Sequence, residues 1–271
     1  DVISQGRVPV VTGFQGITEN GYFTTLGRGG SDTTASILGV MLDAERIEIY
    51  TDVDGVMTAD PRIVKSASVI DIISYDEVFQ LADQGSKVIH PRAVEYAREG
   101  NIPIMIKNTL NDTIGTLINS VGDRKRRRLI TSITNHDDRI QVTINLDDNK
   151  GNDRYNDVLE ILAANKISLD LINIFPRQQV FTISKAAKDI VKDIFGKLDL
   201  KYTLIDNCST IALVGAGMKG IPGVMAKIYK TLSESNIEVL QTADSHMTIW
   251  CLIHTENLEK AINALHKAFK L

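Results

Sequence analysis

The residues best suited to chemistry stand together in Thr24-Thr25-Leu26-Gly27-Arg28-Gly29-Gly30-Ser31-Asp32. Three glycines let backbone N–H groups approach a ligand closely, and a helix beginning there favours negative charge. Such a helix is expected, because Ala35, Leu38, Val40, Met41 and Leu42 follow within helical length. Arg28 adds a planar fork of donors that matches a carboxylate. The chemistry on offer is the grip of an anion. Glycines in such a turn equally serve close packing that touches no ligand, so this stretch alone leaves both uses open.

Two later blocks give it a context. An apolar strand at residues 47–50 runs into Thr51-Asp52-Val53-Asp54-Gly55-Val56-Met57-Thr58-Ala59-Asp60-Pro61-Arg62, and Gln84-Gly85-Ser86-Lys87-Val88-Ile89-His90-Pro91 follows. In order and spacing, the three blocks closely resemble the second half of the catalytic domain of aspartate kinases, in the amino acid kinase family. Downstream, the chain resembles the tandem ACT regulatory region of the same enzymes, especially forms answering to diaminopimelate, lysine or threonine. The resemblance runs to the last residue.

That resemblance implies part of an amino acid kinase α/β sandwich at residues 1–122, a basic linker at 123–128, and ACT-like units at 129–207 and 208–271. It implies transfer of a phosphoryl group from ATP, with Mg²⁺, to L-aspartate, giving 4-phospho-L-aspartate at the head of the lysine, threonine and methionine routes. Arg28 would hold aspartate, with Phe14, Gly29, Gly30 and Ser31 completing the pocket. Asp32 would orient Lys87. Thr51 and Asp52 would contact the nucleotide, the segment from Met57 to Arg62 would wrap it, and Arg62 and Lys87 would neutralise phosphate charge. Some relatives carry an aromatic where Met57 stands. An effector amino acid would meet Ser168, Leu169, Asp170 and Asn173 in the first ACT-like unit, and Met225, Ala226, Glu238, Val239 and Ser245 in the second. ACT units of the family pair across a homodimer. The loop at residues 147–153 lacks the Pro-Gly turn common in threonine- and lysine-regulated relatives, while the whole-chain resemblance leans towards diaminopimelate or lysine.

The family's Lys-x-Gly-Gly phosphate turn does not precede Val8, and the chain begins at Asp1 without methionine. The expectation is a fragment that phosphorylates aspartate poorly alone. Two other readings compete: an effector-binding regulatory polypeptide without catalysis, and a kinase acting on glutamate, acetylglutamate, carbamate or UMP. The Arg28 to Asp32 stretch argues against the first, and the paired ACT-like units against the second.

The elements that would position these residues are legible in outline. Residues 8–12 are β-rich and should deliver the Gly13-Phe14-Gln15-Gly16 loop, where Phe14 either lines a site or fills a core. Strand, helix and strand alternate up to Tyr50, as in an α/β layer. Ser74-x-x-Glu77 is a capping box; Pro91 suits the first turn of a second helix and Gly100 its end. Lys87 falls between those helices, and residues 102–106 form a buried strand. Farther on, strands at 140–144, 169–174, 180–183 and 202–205 with helices at 158–164 and 186–198 trace βαββαβ. Strands at 211–214, 237–241 and 248–253 with helices at 224–232 and 258–269 trace βαββα, an apparent duplication.

Several features are set aside. Gly215-Ala216-Gly217-Met218-Lys219-Gly220 satisfies Gly-x-Gly-x-x-Gly, with Glu238 as a candidate ribose acid, yet too little chain follows for a dinucleotide fold. The Asp52-Val53-Asp54-Gly55 run lacks the further ligands of a calcium loop. Five histidines show neither metal nor triad spacing, and His90 reads as a helix-start residue. Arg124 to Arg128 is a solvated linker without interleaved aromatics, so no nucleic-acid partner is expected. Hydrophobic content of 43%, a net charge of −4 and two cysteines describe an ordinary globular chain in a reducing cytoplasm, with no membrane partner.

Overall fold

The computed structural model describes residues 2–86, 88–123, 128–145, 153–198, 200–218 and 220–271, with backbone alone at 153–157. Two compact units result: residues 1–58 with 66–128, and residues 59–65 with 129–271.

In the first unit a short hairpin pairs β1 (Gln15–Ile17) with β2 (Phe23–Thr25). Then come α1 (Gly30–Met41), β3 (Ile47–Thr51), β4 (Ile72–Ser74), α2 (Tyr75–Asp83), α3 (Pro91–Glu99), β5 (Ile104–Asn108) and β6 (Thr116–Asn119). The sheet runs β3-β5-β6-β4, with β3 parallel to β5, β4 parallel to β6, and β5 antiparallel to β6. Alternation buries Ile47, Ile49, Ile104, Ile106 and Ile118 on one face. Each such side chain contributes roughly 1.5–3 kcal/mol of burial.

The helix starts follow their signals. Ser74 Oγ accepts from the Glu77 N–H at 3.3 Å while the Glu77 carboxylate accepts from the Ser74 N–H at 3.2 Å. That reciprocal cap is worth about 1 kcal/mol. Pro91 opens α3 behind His90, whose Nδ1 accepts from the Arg92 N–H at 3.3 Å. Gly100 closes it at φ −80°, an ordinary helical angle. The expected strand at residues 8–12 does not form. Val8 and Val10 are 86% and 95% exposed, and none of the described strands pairs with this run. β-branched side chains stabilise a strand only where a neighbouring backbone completes the ladder.

The second unit holds β7 (Ser132–Asn145), α4 (Asp153–Ala164), β8 (Asp170–Phe175), β9 (Gln178–Ser184), α5 (Lys188–Lys197), β10 (Tyr202–Val214), α6 (Val224–Glu234), β11 (Gln241–Asp244), β12 (Thr248–His254) and α7 (Leu258–Phe269). Its sheet runs β11-β12-β10-β7-β9-β8, antiparallel throughout. Val142, Ile144, Phe181 and Ile183 from the sheet pack with Leu162, Val191 and Phe195 from the helices. Phe195 meets Tyr202 edge-on at 5.0 Å between ring centres. The segment 59–65 belongs to this unit, where the Asn263 amide donates to the Ile63 carbonyl at 3.1 Å.

Two sequence expectations change here. The strands read at 202–205 and 211–214 are one continuous β10, with its register to β7 shifting between Ile205 and Cys208. The division expected at 207/208 therefore falls inside a strand. The strand read at 237–241 forms later, as β11, because Ile237 is buried and its N–H closes the end of α6 on the Leu232 carbonyl.

Cys208 and Cys251 are buried and free, and burial pushes the Cys251 thiol up to about 12. Among the described residues, no helix is long and apolar enough to cross a membrane.

Candidate functional site

The glycine-rich stretch becomes the entry to α1. Gly27 and Gly29 take φ values of 80° and 67°, a region that costs most residues 1–2 kcal/mol, as an order of magnitude. A Cβ on Gly29 would strike the His90 ring, and one on buried Gly30 would lie 2.8 Å from the Phe14 ring. Phe14 itself sits at φ 72°, uncommon for a bulky residue. It is held there by two bonds: its N–H donates to Thr34 Oγ1 at 3.1 Å, and its carbonyl accepts from the Leu26 N–H at 2.9 Å. Thr34 Oγ1 in turn donates to the Gly30 carbonyl at 2.8 Å.

No side chain caps α1, and its first-turn amides at Ser31 and Asp32 have no acceptor among the described residues. Arg28 is exposed and bonds to no described residue. Asp32 is half-buried; its Oδ2 accepts a long bond from the His90 N–H, 3.4 Å. Burial pushes its carboxyl up, and the His90 N–H offsets part of that rise. The arrangement offers a guanidinium and free amides beside a ring held in a strained turn. Lys87 lies outside the described residues.

Thr51 closes β3 and Asp52 follows, exposed, with Thr51 Oγ1 donating to Asp52 Oδ1 at 3.1 Å. Met57 bridges to Val69, flanked by the Ile70 N–H to Val56 carbonyl bond at 2.8 Å and the Thr58 N–H to Ser68 carbonyl bond at 2.9 Å. Met57 thus sits in a small hairpin of the first unit. Arg62 belongs to the second unit and is exposed. It spends its fork on Asp60, Nη2 to Oδ2 at 2.6 Å and Nε to Oδ1 at 3.0 Å, which raises the guanidinium pKa further.

In the first ACT-like region Ser168 is exposed and Leu169 packs against the core. Asp170 pairs with Arg139 at 3.0 Å, and Asn173 Oδ1 accepts from Gln241 Nε2 at 2.6 Å. A cavity of about 680 Å³ lies where the Gly220–Gly223 turn enters α6, opposite the β11–β12 turn. Met225 and Ser245 line it; Ala226, Glu238 and Val239 do not. Asp244 and His246 also face it, and neither stood out in the sequence. The Gly-x-Gly-x-x-Gly run lies between β10 and α6, and β10 belongs to an antiparallel sheet, which excludes a dinucleotide fold.

Sequence reasoning missed the contacts of His90 with Gly29 and Asp32, because they join residues 58 or more apart. It also missed Thr34, although a threonine one turn inside a glycine-started helix is placed to bond back to the turn. No group of three or more His, Cys, Asp or Glu able to hold a metal occurs among the described residues.

Residues 1–108 match the amino acid kinase family and residues 203–267 the ACT domain. The whole chain is 42% identical over 275 residues to aspartokinase 1 of Bacillus subtilis (strain 168), spanning 68% of that protein. The Clostridium acetobutylicum aspartate kinase structure superposes with a TM-score of 0.86 at 30% identity, covering 95% of this chain and 62% of that one. Escherichia coli aspartokinase III, solved with aspartate and ADP, gives 0.77 at 28% identity, covering 96% of this chain and 60% of that one. The same enzyme has also been solved with lysine and aspartate.

Proposed function

We propose, since the chain belongs to the aspartokinase family, that it forms the carboxyl-terminal part of an enzyme transferring the γ-phosphoryl group of ATP to the side-chain carboxylate of L-aspartate, under control by an amino acid. The observation that carries this reading is the junction of Arg28, the uncapped α1 amides and the Phe14 turn, within a chain 42% identical from end to end to an aspartokinase.

The chemistry suits these groups. An aspartate carboxylate is already ionised at neutral pH, so the reaction needs little proton abstraction. The barrier is electrostatic, because an anion must approach a polyanion, and oriented donors lower it. Arg28 and the Ser31 and Asp32 amides would receive aspartate, with Phe14 shaping the pocket. Thr51, Asp52 and Met57 would contact the nucleotide, while Lys87 would offset phosphate charge. Mg²⁺ binds readily through phosphate oxygens, waters and one or two carboxylates, which fits a chain lacking a metal cage among its described residues. It would supply shielding of phosphate charge.

The cavity beside α6 supports an effector site, since it joins a helix start to an exposed acid, Asp244, as the two ends of a free amino acid require. Diaminopimelate and lysine, each with a second amine, are the effectors favoured. A homodimer through the ACT-like region, in the cytoplasm, completes the reading.

The test is steady-state kinetics on the full-length gene product. Arg28→Ala should raise KM for aspartate and leave ATP use nearly intact. Unchanged constants in that variant would remove Arg28 from the site, and a full-length product that binds amino acids in dialysis without phosphorylating aspartate would be a sensor.

A further inference from the structure

Two loops leave the same end of the first unit's sheet, because β3 and β5 run parallel with Thr51 opposite Asn108. One carries Thr51 and Asp52; the other, residues 108–116, has no role in the reading above. They are bonded together at three levels. The Thr51 carbonyl accepts from the Thr109 N–H at 2.8 Å and from Thr109 Oγ1 at 3.0 Å. Asp54 Oδ1 accepts from Asn108 Nδ2 at 2.7 Å and Asn111 Nδ2 at 2.8 Å. Thr116 Oγ1, buried, accepts from the Val56 N–H at 2.8 Å.

Both asparagines are themselves fixed. Asn108 Oδ1 accepts from the Leu110 N–H at 2.8 Å, and Asn111 Oδ1 accepts from the Thr113 N–H at 3.1 Å and Thr113 Oγ1 at 2.8 Å. Each side chain therefore bonds its own loop through oxygen and presents its amide nitrogen to Asp54. Gly55, at φ 148°, lies against Thr116 where a side chain would collide. The two carboxylates of the Asp52-Val53-Asp54 run thus differ in use. Asp54 is an anchor, whereas Asp52 is exposed and bonded only by Thr51 among the described residues.

We propose that Asn108 and Asn111, acting through Asp54, are positioning residues that hold Thr51 and Asp52 in the geometry the nucleotide meets. The proposal rests on the reading of Thr51 and Asp52 as nucleotide contacts. A loop free to wander would pay its ordering cost on each binding event, and the clamp pays it during folding. The two amides also hold the Asp54 carboxyl below the usual carboxylate range, so the anchor stays charged through the neutral region.

The experiment compares four variants of the full-length enzyme, Asn111→Ala, Asn108→Ala, Asp54→Ala and Asp54→Asn, with Asp52→Ala as reference. KM for ATP, KM for aspartate, kcat and the thermal shift given by ADP are measured. Each alanine variant of the clamp should raise KM for ATP roughly three- to tenfold, the loss of one or two hydrogen bonds to a charge, with KM for aspartate within about twofold. Asp54→Asn keeps an acceptor oxygen and should recover most of the ATP affinity lost in Asp54→Ala, which general destabilisation would not do. Asn111 is exposed, so its variant folds even if the others are impaired. If Asp52→Ala weakens ATP while the clamp variants do not, or if they weaken both substrates equally, the clamp is overturned and the nucleotide reading stands. Normal ATP use in Asp52→Ala overturns both.

Discussion

Two glycine-rich turns, each between a strand and a helix, look alike in the sequence and are built for different ends. In the first, Gly29 and Gly30 are pressed against the rings of His90 and Phe14, and the turn opens directly into α1. In the second, Gly220 and Gly223 have open space where a Cβ would stand, and the turn borders a cavity of about 680 Å³ before α6. The first set of glycines is demanded by neighbours, the second by backbone angle alone. A glycine's reason is therefore a property of what packs against it, and the letters of a motif do not carry it.

The comparison can be broken most sharply by Gly29→Ala in the full-length enzyme. Strain at φ 67° adds to a collision with His90, so kcat/KM for aspartate should fall roughly 30-fold or more and the melting temperature should drop. Gly223→Ala, at φ 90° in open space, should cost only about 1–2 kcal/mol of stability and leave aspartate kinetics unchanged. Equal damage from both would dissolve the distinction. Next in size, Arg28→Ala should raise KM for aspartate roughly 10- to 100-fold, the loss of a bidentate charged grip, and Arg28→Lys should restore little of it.

A subtler test uses pH. Burial raises the folded pKa of Asp32 above its ordinary value, so within that interval the folded chain holds a proton the unfolded chain has released. Stability therefore falls as pH rises through the interval and stays lowered above it. Asp32→Asn should flatten this dependence and slightly raise the melting temperature at neutral pH while impairing catalysis. A melting temperature that fell in this variant would show Asp32 to be a structural support. Smallest of all, Asp244→Asn at the second turn should raise the half-inhibiting effector concentration a few-fold with both KM values unchanged. Unaltered inhibition would remove the acid from the effector reading.

Local signals were legible wherever the cause is local. The capping box at Ser74, proline at the start of α3 and the apolar periodicity of α7 all form as their spacing implies, because neighbours a few residues away decide them. The cradle at α1 was visible as glycines and an arginine, but its rigidity was not. The His90 contact, the Thr34 bonds and the Asn108–Asp54–Asn111 clamp span about 20 to 60 positions, and no periodicity encodes such partners. Residues 8–12 failed in the opposite sense: a strong β pattern forms no strand for want of a bonded neighbour. β10 concealed itself because its bulge at Ile205 to Cys208 breaks the alternation that would have joined its halves.

That thirteen-residue strand has a consequence for engineering and for descent. One half of β10 bonds to β7 at Tyr202 to Ile205, and the other bonds to both β7 and β12 at Thr210 to Val214. Neither repeat can be lifted out as a cassette, because any cut between them severs a ladder common to both. Chimeras between relatives should survive when they exchange β7 and β10 together, and should aggregate through orphaned sheet edges when the crossover falls within either.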